Sequence, residues 1–301
     1  MQTADFPPPA GTPVQLTPDL RLILAPNPSP MTYWGTNTYL LGHDEIAVID
    51  PGPDDDAHLA AILRAGGDNI THIIVTHAHL DHSPLAKRLG LATGAPVYGF
   101  GPATAGRSAV MKQLVAHGMR VTGEGIDHGF HPDITLADGD VITTPNWALT
   151  ALHTPGHIGN HLCLTWGDAM FTGDHVMGWA SSLVSPPDGD LTDFMASCDR
   201  LRRVPSAIYY PAHGAPVTDP AARLDWLIAH RKTREAQIIT ALGAGAQSIA
   251  SLTATLYAGV APALIPAASR NVFAHLIDLH QRGILTASPT LSETANFQLS
   301  N

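Results

Sequence analysis

Cysteine is nearly absent from this chain, with 2 in 301 residues, and basic side chains are outnumbered, 16 against 26 acidic. Two thiols cannot build the disulfide framework of a small secreted domain. Cys163 lies in an apolar alternating stretch and Cys198 in a helical one, where reduced core residues are expected. No run of about 18 apolar residues occurs, so no membrane-spanning helix is expected. The first 16 residues hold Asp5 but no Lys or Arg and are broken by Pro7, Pro8, Pro9 and Pro13, which does not fit a secretory leader. The expected location is cytoplasmic. Aromatics make up only 6%. Glycine and proline are dispersed along the chain, and neither a fibrous nor a low-complexity architecture fits.

The acidic excess is uneven. Residues 1–220 hold 10 basic and 22 acidic side chains, a net of −12, and residues 221–301 hold 6 and 4, a net of +2. An acidic body repels a phosphate backbone at long range, which disfavours generic nucleic-acid binding.

What the chain has in abundance is histidine: 17 residues, more than lysine and arginine together. Imidazole both ligates metals and titrates near neutrality. The decisive segment is Ile73-Ile74-Val75-Thr76-His77-Ala78-His79-Leu80-Asp81-His82. An apolar strand runs straight into four ligand types. His77 and His79, two apart, project to one side of an extended backbone, while Asp81 and His82 follow where the chain turns toward a helix. Two cations about 3.5 to 4 Å apart would use all four, the spacing of hydrolytic dinuclear sites. Further candidates follow apolar runs and adjoin glycine: His157 after Gly156, Asp174 after Gly173, and His213 before Gly214. Zinc is the expected metal, and iron or manganese would accept the same donors.

Short strand patterns occupy 20–25, 38–41, 45–50, 72–76, 96–100, 141–144, 148–153, 161–166, 169–172 and 207–210, and helical patterns 55–65, 83–91, 107–117 and 191–203. Thr192 and its neighbour Leu191 mark the expected cap of the last of these. After about residue 220 helices dominate, over 221–242, 248–257 and 264–282, with a short β run at 283–287 and a tail beyond Pro289 expected to fray. The organisation expected is a catalytic domain over 1–220 and a helical, winged-helix-like domain over 221–301.

The His77-Ala78-His79-Leu80-Asp81-His82 signature, with His157, Asp174 and His213 in order behind it, resembles the metallo-β-lactamase superfamily. That resemblance implies an α/β fold, a four-layer αββα sandwich. It implies that His77, His79 and His157 bind one metal, that Asp81, His82 and His213 bind the second, and that Asp174 bridges them. Asp50 corresponds to an acidic residue behind the site that orients the ligand loop. The segments Pro30-Met31-Thr32, 35–40, 184–191, 230–238 and 271–276 are similar to the beta-lactamase-like protein 2 group, which carries a C-terminal winged-helix-like domain. Two departures stand out: Ala212 replaces the usual glycine before His213, and Ile158 follows His157 where threonine or serine is common.

The expected enzyme is therefore a metal-dependent hydrolase with two divalent ions and a metal-bridging hydroxide as nucleophile. Asp174 would hold that hydroxide, and Asp81 would accept a proton. Two substrate classes stay open, a small ester, lactone or thioester, and single-stranded RNA cleaved by an endoribonuclease. Arg231, Lys232 and Arg234 form a basic cluster read either as a phosphate grip at the rim or as a solvated helix face. Tyr33, Trp34 and Trp179 are expected near the mouth. His161 and His175 flank ligands, His153 reads as structural, and His43, His58, His72, His117, His128 and His131 read as surface or loop residues. Ser83 reads as a helix N-cap. No feature fixes an oligomeric state.

Overall fold

The computed structural model describes residues 6–119 and 125–300. Seven strands form the first sheet: β1 (Val14–Thr17), β2 (Leu20–Leu24), β3 (Asn37–Leu41), β4 (Ile46–Ile49), β5 (Ile70–Ile74), β6 (Val97–Gly99) and β7 (Ile134–Thr135), in that spatial order. Its first three pairings are antiparallel and the rest parallel. The second sheet holds β8 (Val141–Thr143), β9 (Ala148–His153), β10 (Leu162–Trp166), β11 (Ala169–Gly173) and β12 (Ile208–Pro211). All its neighbours are antiparallel except β11 and β12.

Period-two alternation explains the layering. Along β4, Ala47 and Ile49 face the second sheet and pack with Leu149, Leu162 and Phe171, while Ile46 and Val48 face outward. The outward face is covered by α1 (Asp56–Gly66) and α2 (Pro84–Thr93) through Ile62, Leu85 and Leu89. Along β10, Leu162 and Leu164 point to the first sheet. Cys163 points the other way, into a core shared with Leu191, Phe194 and Cys198 of α4 (Leu191–Leu201). The product is four layers, αββα. One further helix, α3 (Ala109–Ala116), leads away from this stack.

Beyond residue 219 the chain forms α5 (Pro220–Leu242), α6 (Ile249–Leu256) and α7 (Ile265–Gln281), and a small sheet of β13 (Gln247–Ser248), β14 (Leu285–Ser288) and β15 (Asn296–Leu299). Three helices beside a three-stranded sheet make a winged-helix arrangement. The tail expected to fray is ordered, because β15 pairs with both neighbours and buries Phe297 completely. Two cores tie this part to the rest. Leu224, Leu227 and Ala274 pack on α4, and Met111 and Leu114 of α3 pack among the C-terminal residues.

Some sequence expectations shift. The cap of α4 is Asp190, whose carboxylate accepts from Thr192 N at 2.8 Å, rather than Leu191 or Thr192. Ser83 precedes α2 but makes no cap bond; its hydroxyl donates to Asp127 Oδ2 at 2.7 Å. Both cysteines are free and buried. Among the described residues, no helix is long and apolar enough to cross a membrane.

Candidate metal centre

Strand ends from both sheets meet at one edge of the sandwich, and each delivers part of the site. β4 runs into Asp50, β5 into the His77–His82 segment, β11 into Asp174 and β12 into His213. Glycine is required at two of these junctions. Gly173 has φ +49, and a Cβ there would lie 2.6 Å from His161 Nε2. At Gly156, φ +142, it would lie 2.3 Å from the Cα of Phe194. Any larger residue would push Asp174 or His157 away from the centre.

All seven candidates converge. The donor atoms of His77, His79, His157 and Asp174 lie within 4.8 Å of one another, and so do those of Asp81, His82 and His213. His79 Nδ1 is 2.8 Å from His77 Nε2 and 3.1 Å from His157 Nε2. Asp174 faces both sets. Its Oδ2 is 4.0 Å from His77 Nε2 and 3.6 Å from His157 Nε2, and its Oδ1 is 3.7 Å from His82 Nε2 and 3.3 Å from His213 Nε2. Asp81 Oδ2 lies 3.3 Å from His82 Nε2 and 3.1 Å from His213 Nε2.

Which nitrogen faces the centre is set from behind. Asp50 accepts from Thr76 N at 2.7 Å, from the Thr76 hydroxyl at 2.8 Å and from His82 Nδ1 at 3.0 Å. Because the Thr76 hydroxyl spends its proton on Asp50, it can only accept from His77 Nδ1, 3.0 Å away. His157 Nδ1 donates to the carbonyl of Leu183 at 2.6 Å, and His213 Nδ1 donates to that of Gly35 at 3.0 Å. Four imidazoles therefore carry their proton on Nδ1 and turn an Nε2 lone pair inward, the outer-shell pattern of metal-binding histidines. Asp50 adopts φ +49, unusual for a residue with a side chain, and its three hydrogen bonds hold it there.

The donor set fits divalent cations. His82 Nε2, His213 Nε2 and Asp174 Oδ1 are buried without a hydrogen-bond partner, although they face one another at contact distance. One proton on His79 Nδ1 cannot satisfy two facing nitrogens. Burial with so little hydrogen bonding is expensive unless a cation completes the cluster. Electrostatics split the sets. Burial, then the neighbouring imidazoles, hold His77 well below the usual histidine range, and burial and His157 bring His79 to about 3. Burial opposes charge at His213 too, but Asp174 and Asp81 outweigh it and raise it to about 10. Asp174 is held well below the carboxylate range; burial alone would raise it, and His213 and His82 prevail. A cation in the second set would take the place of that proton.

The flanking histidines sort clearly. Asp174 N donates to His161 Nε2 at 3.2 Å, and His161 Nδ1 donates to Thr154 Oγ1 at 2.9 Å, so His161 orients Asp174 from behind. His175 packs at a tilt against Phe194 and touches Cys198 Sγ at 3.5 Å. His153 stacks on Phe100 and donates to Gly159 O. His58, expected at the surface, is fully buried, and its Nε2 is 2.8 Å from the Thr38 hydroxyl. His43, His117, His128 and His131 are exposed and His72 is half-buried. Tyr33 stacks between Trp34 and Trp179, beside Gly214. The basic cluster does not form one face. Lys232 is exposed, but Arg231 is buried and Arg234 donates to Leu256 O and covers the Tyr257 ring. Thr76 and the carbonyls of Leu183 and Gly35 escaped the sequence reading. Only Thr76, beside His77, left a trace there.

The His/Asp cluster opens into a cleft of about 450 Å³ whose lining includes Met31, Leu80, Asp81, Met177 and Leu183. Leu80 is 53% exposed and Met31 45%, and the described lining contains no lysine or arginine.

A model of the metallo-beta-lactamase superfamily matches residues 31–213, and a model of the beta-lactamase associated winged helix domain matches residues 248–288. The chain is 30% identical over 293 residues to the beta-lactamase-like protein 2 homolog of Drosophila melanogaster, covering 93% of this chain and 94% of that protein. It is 29% identical over 241 residues to an atrochrysone carboxyl ACP thioesterase of Claviceps purpurea (strain 20.1), covering 76% and 67%. Among solved structures, a beta-lactamase domain protein from Burkholderia ambifaria superposes with a TM-score of 0.81 at 21% identity, covering 99% of this chain and 96% of that one. A metallo-beta-lactamase family protein from Thermus thermophilus gives 0.76 at 23% identity, covering 95% and 100%. These two likenesses concern the fold.

Proposed function

We propose, for a chain that belongs to the metallo-β-lactamase superfamily and is one of its metal-dependent hydrolases, that it cleaves a small ester, lactone or thioester with two divalent cations, zinc foremost. His77, His79 and His157 would hold one cation and Asp81, His82 and His213 the other, with Asp174 placed to bridge them. Bound together, the cations supply Lewis acidity and acidify water toward neutral pH. Asp50 fixes His82 and, through Thr76, His77. Asp174 orients water between the sets, with His161 steadying its backbone. Asp81, 26% exposed at its side chain, is the carboxylate open to the cleft; with Oδ2 turned to His82 and His213, its other oxygen is the one left to accept a proton. Residues 1–220 act as the catalytic part and 221–301 as a winged-helix-like part.

The observation that carries the substrate class is the cleft. Its exposed Met31 and Leu80, beside Met177 and Leu183 and without a basic side chain among the described lining residues, suit an apolar acyl group better than a phosphate backbone. The thioesterase named among the relatives points the same way. The metal-reconstituted and chelator-treated protein, offered acyl thioesters, esters and lactones of increasing chain length beside labelled single-stranded RNA, tests this. Chelator-sensitive acyl turnover that rises with acyl length is expected. RNA cleavage without acyl turnover would overturn it.

A further inference from the structure

Arg231 and Asn271 lie in the two C-terminal stretches that resemble the beta-lactamase-like protein 2 group, and neither has a task in the site as described. Arg231, on α5, is 4% exposed. Its guanidinium turns inward, toward the loop of residues 176–190. Nη1 donates to Asn271 Oδ1 on α7 at 3.1 Å; Nη2 donates to Ser181 O at 3.2 Å and more closely to Ser182 O. Asn271 Oδ1 also accepts from Val184 N at 3.2 Å. Phe194 of α4 lies under the guanidinium, 5.0 Å from its carbon. Burial brings Arg231 down to about 10, which leaves it a cation at neutral pH. Its hydrogen bonds go to amide oxygens, an expensive way to bury a charge, and its flat fork of donors suits holding several oxygens in a fixed relation.

The residue held between these anchors is Leu183. Serines 181 and 182 are tied on one side and Val184 on the other, and the Leu183 carbonyl accepts the Nδ1 proton of His157 at 2.6 Å. That bond decides which His157 nitrogen is bare and where it points, 3.1 Å from His79 Nδ1. We infer that Arg231 and Asn271 form a clamp through which α5 and α7 orient His157, and with it the grip of the His77, His79 and His157 set on its cation. The inference rests on the ligand assignment proposed above. Both residues act through the Leu183 carbonyl and are positioning residues, since neither touches a cation or substrate.

The test separates the two metal sets in the full chain. Asp81→Ala/His82→Ala leaves the three-histidine set, and His77→Ala/His79→Ala leaves the other. Zn²⁺ affinity is read by competition with a chromophoric chelator. In the first background, Arg231→Met or Asn271→Ala is expected to weaken Zn²⁺ binding about tenfold or more, the usual cost of losing an outer-shell partner. Asn271→Asp, which keeps an acceptor for both Arg231 and Val184 N, restores most of it. In the second background the same changes shift affinity less than about twofold, because that set has its own supports in Asp50 and Gly35. First-set affinity unchanged in both variants would overturn the clamp, as would equal weakening of both sets, which marks general loosening. If circular dichroism finds Arg231→Met unfolded, the Asn271→Ala and Asn271→Asp pair decides by the same criteria. Failure of the unsubstituted chain to bind Zn²⁺ refutes the ligand assignment itself and is seen before any clamp variant is made.

Discussion

Four of the five inward-facing histidine nitrogens are bare because the other nitrogen of the ring is spent on a fixed acceptor: Asp50 for His82, the Thr76 hydroxyl for His77, and a backbone carbonyl each for His157 and His213. The seven candidate ligands sit on loops at strand ends, and none belongs to the hydrophobic cores. Asp81→Ala and His82→Ala are therefore expected to lower hydrolysis about a hundredfold or more with thermal unfolding of the chelated protein little changed. Near-normal turnover in either variant would remove the second set from the chemistry. His58 makes a different prediction. Burial lowers its pKa from 6.5 to about 4, so the folded chain refuses a proton that the unfolded chain takes up. Stability at that residue is unaffected above pH 6.5 and falls as the pH drops from 6.5 to 4, by up to about 3 kcal/mol. Denaturant unfolding of wild type and His58→Gln across that range checks it, since the substitution should flatten the difference.

At the scale of elements, periodicity made most of the fold legible. The 3.6-residue pattern places all seven described α-helices within a few residues, and the strand patterns find eleven of the fifteen described strands. β1, β7 and β13 are missed because each is a short strand without a fully buried residue; β15 is missed because its partner β14 is needed to recognise it. Its burial is consequential: Phe297→Ala is expected to cost about 3–5 kcal/mol, measured by denaturant unfolding, whereas a frayed tail would tolerate it. The seven residues that the structure clusters were legible because imidazole and carboxylate announce their chemistry. Their supports were not. Any residue offers a carbonyl, so nothing in Leu183 or Gly35 signals a bond to a histidine 26 or 178 positions away. Arg231 misled for a related reason, as a charged residue on a polar helix stretch normally faces water.

The whole molecule joins its two parts through more than a linker. α5 contributes Leu224, Leu227 and Ile228 to the core on α4, and Ile238 and Leu242 to the C-terminal core. A chain ending at residue 220 would expose Leu191, Phe194 and Leu201 and lose the hold on residues 181–184. Such a truncation is expected to be poorly soluble or, where soluble, weakened in Zn²⁺ binding; a soluble fragment with full affinity would contradict this coupling. The proposed acyl substrate draws on apolar contact, and a net charge of −10 with a cleft without described basic residues offers an anion no long-range attraction. In the proposed site seven side chains form two cation sets that share Asp174. Equilibrium dialysis of the chelator-stripped protein against Zn²⁺, with metal counted by elemental analysis, tests this arrangement. Two ions per chain are predicted for the unsubstituted protein and one for Asp81→Ala/His82→Ala. An unsubstituted protein that takes up no more than one ion, or a double variant that still takes up two, would contradict it.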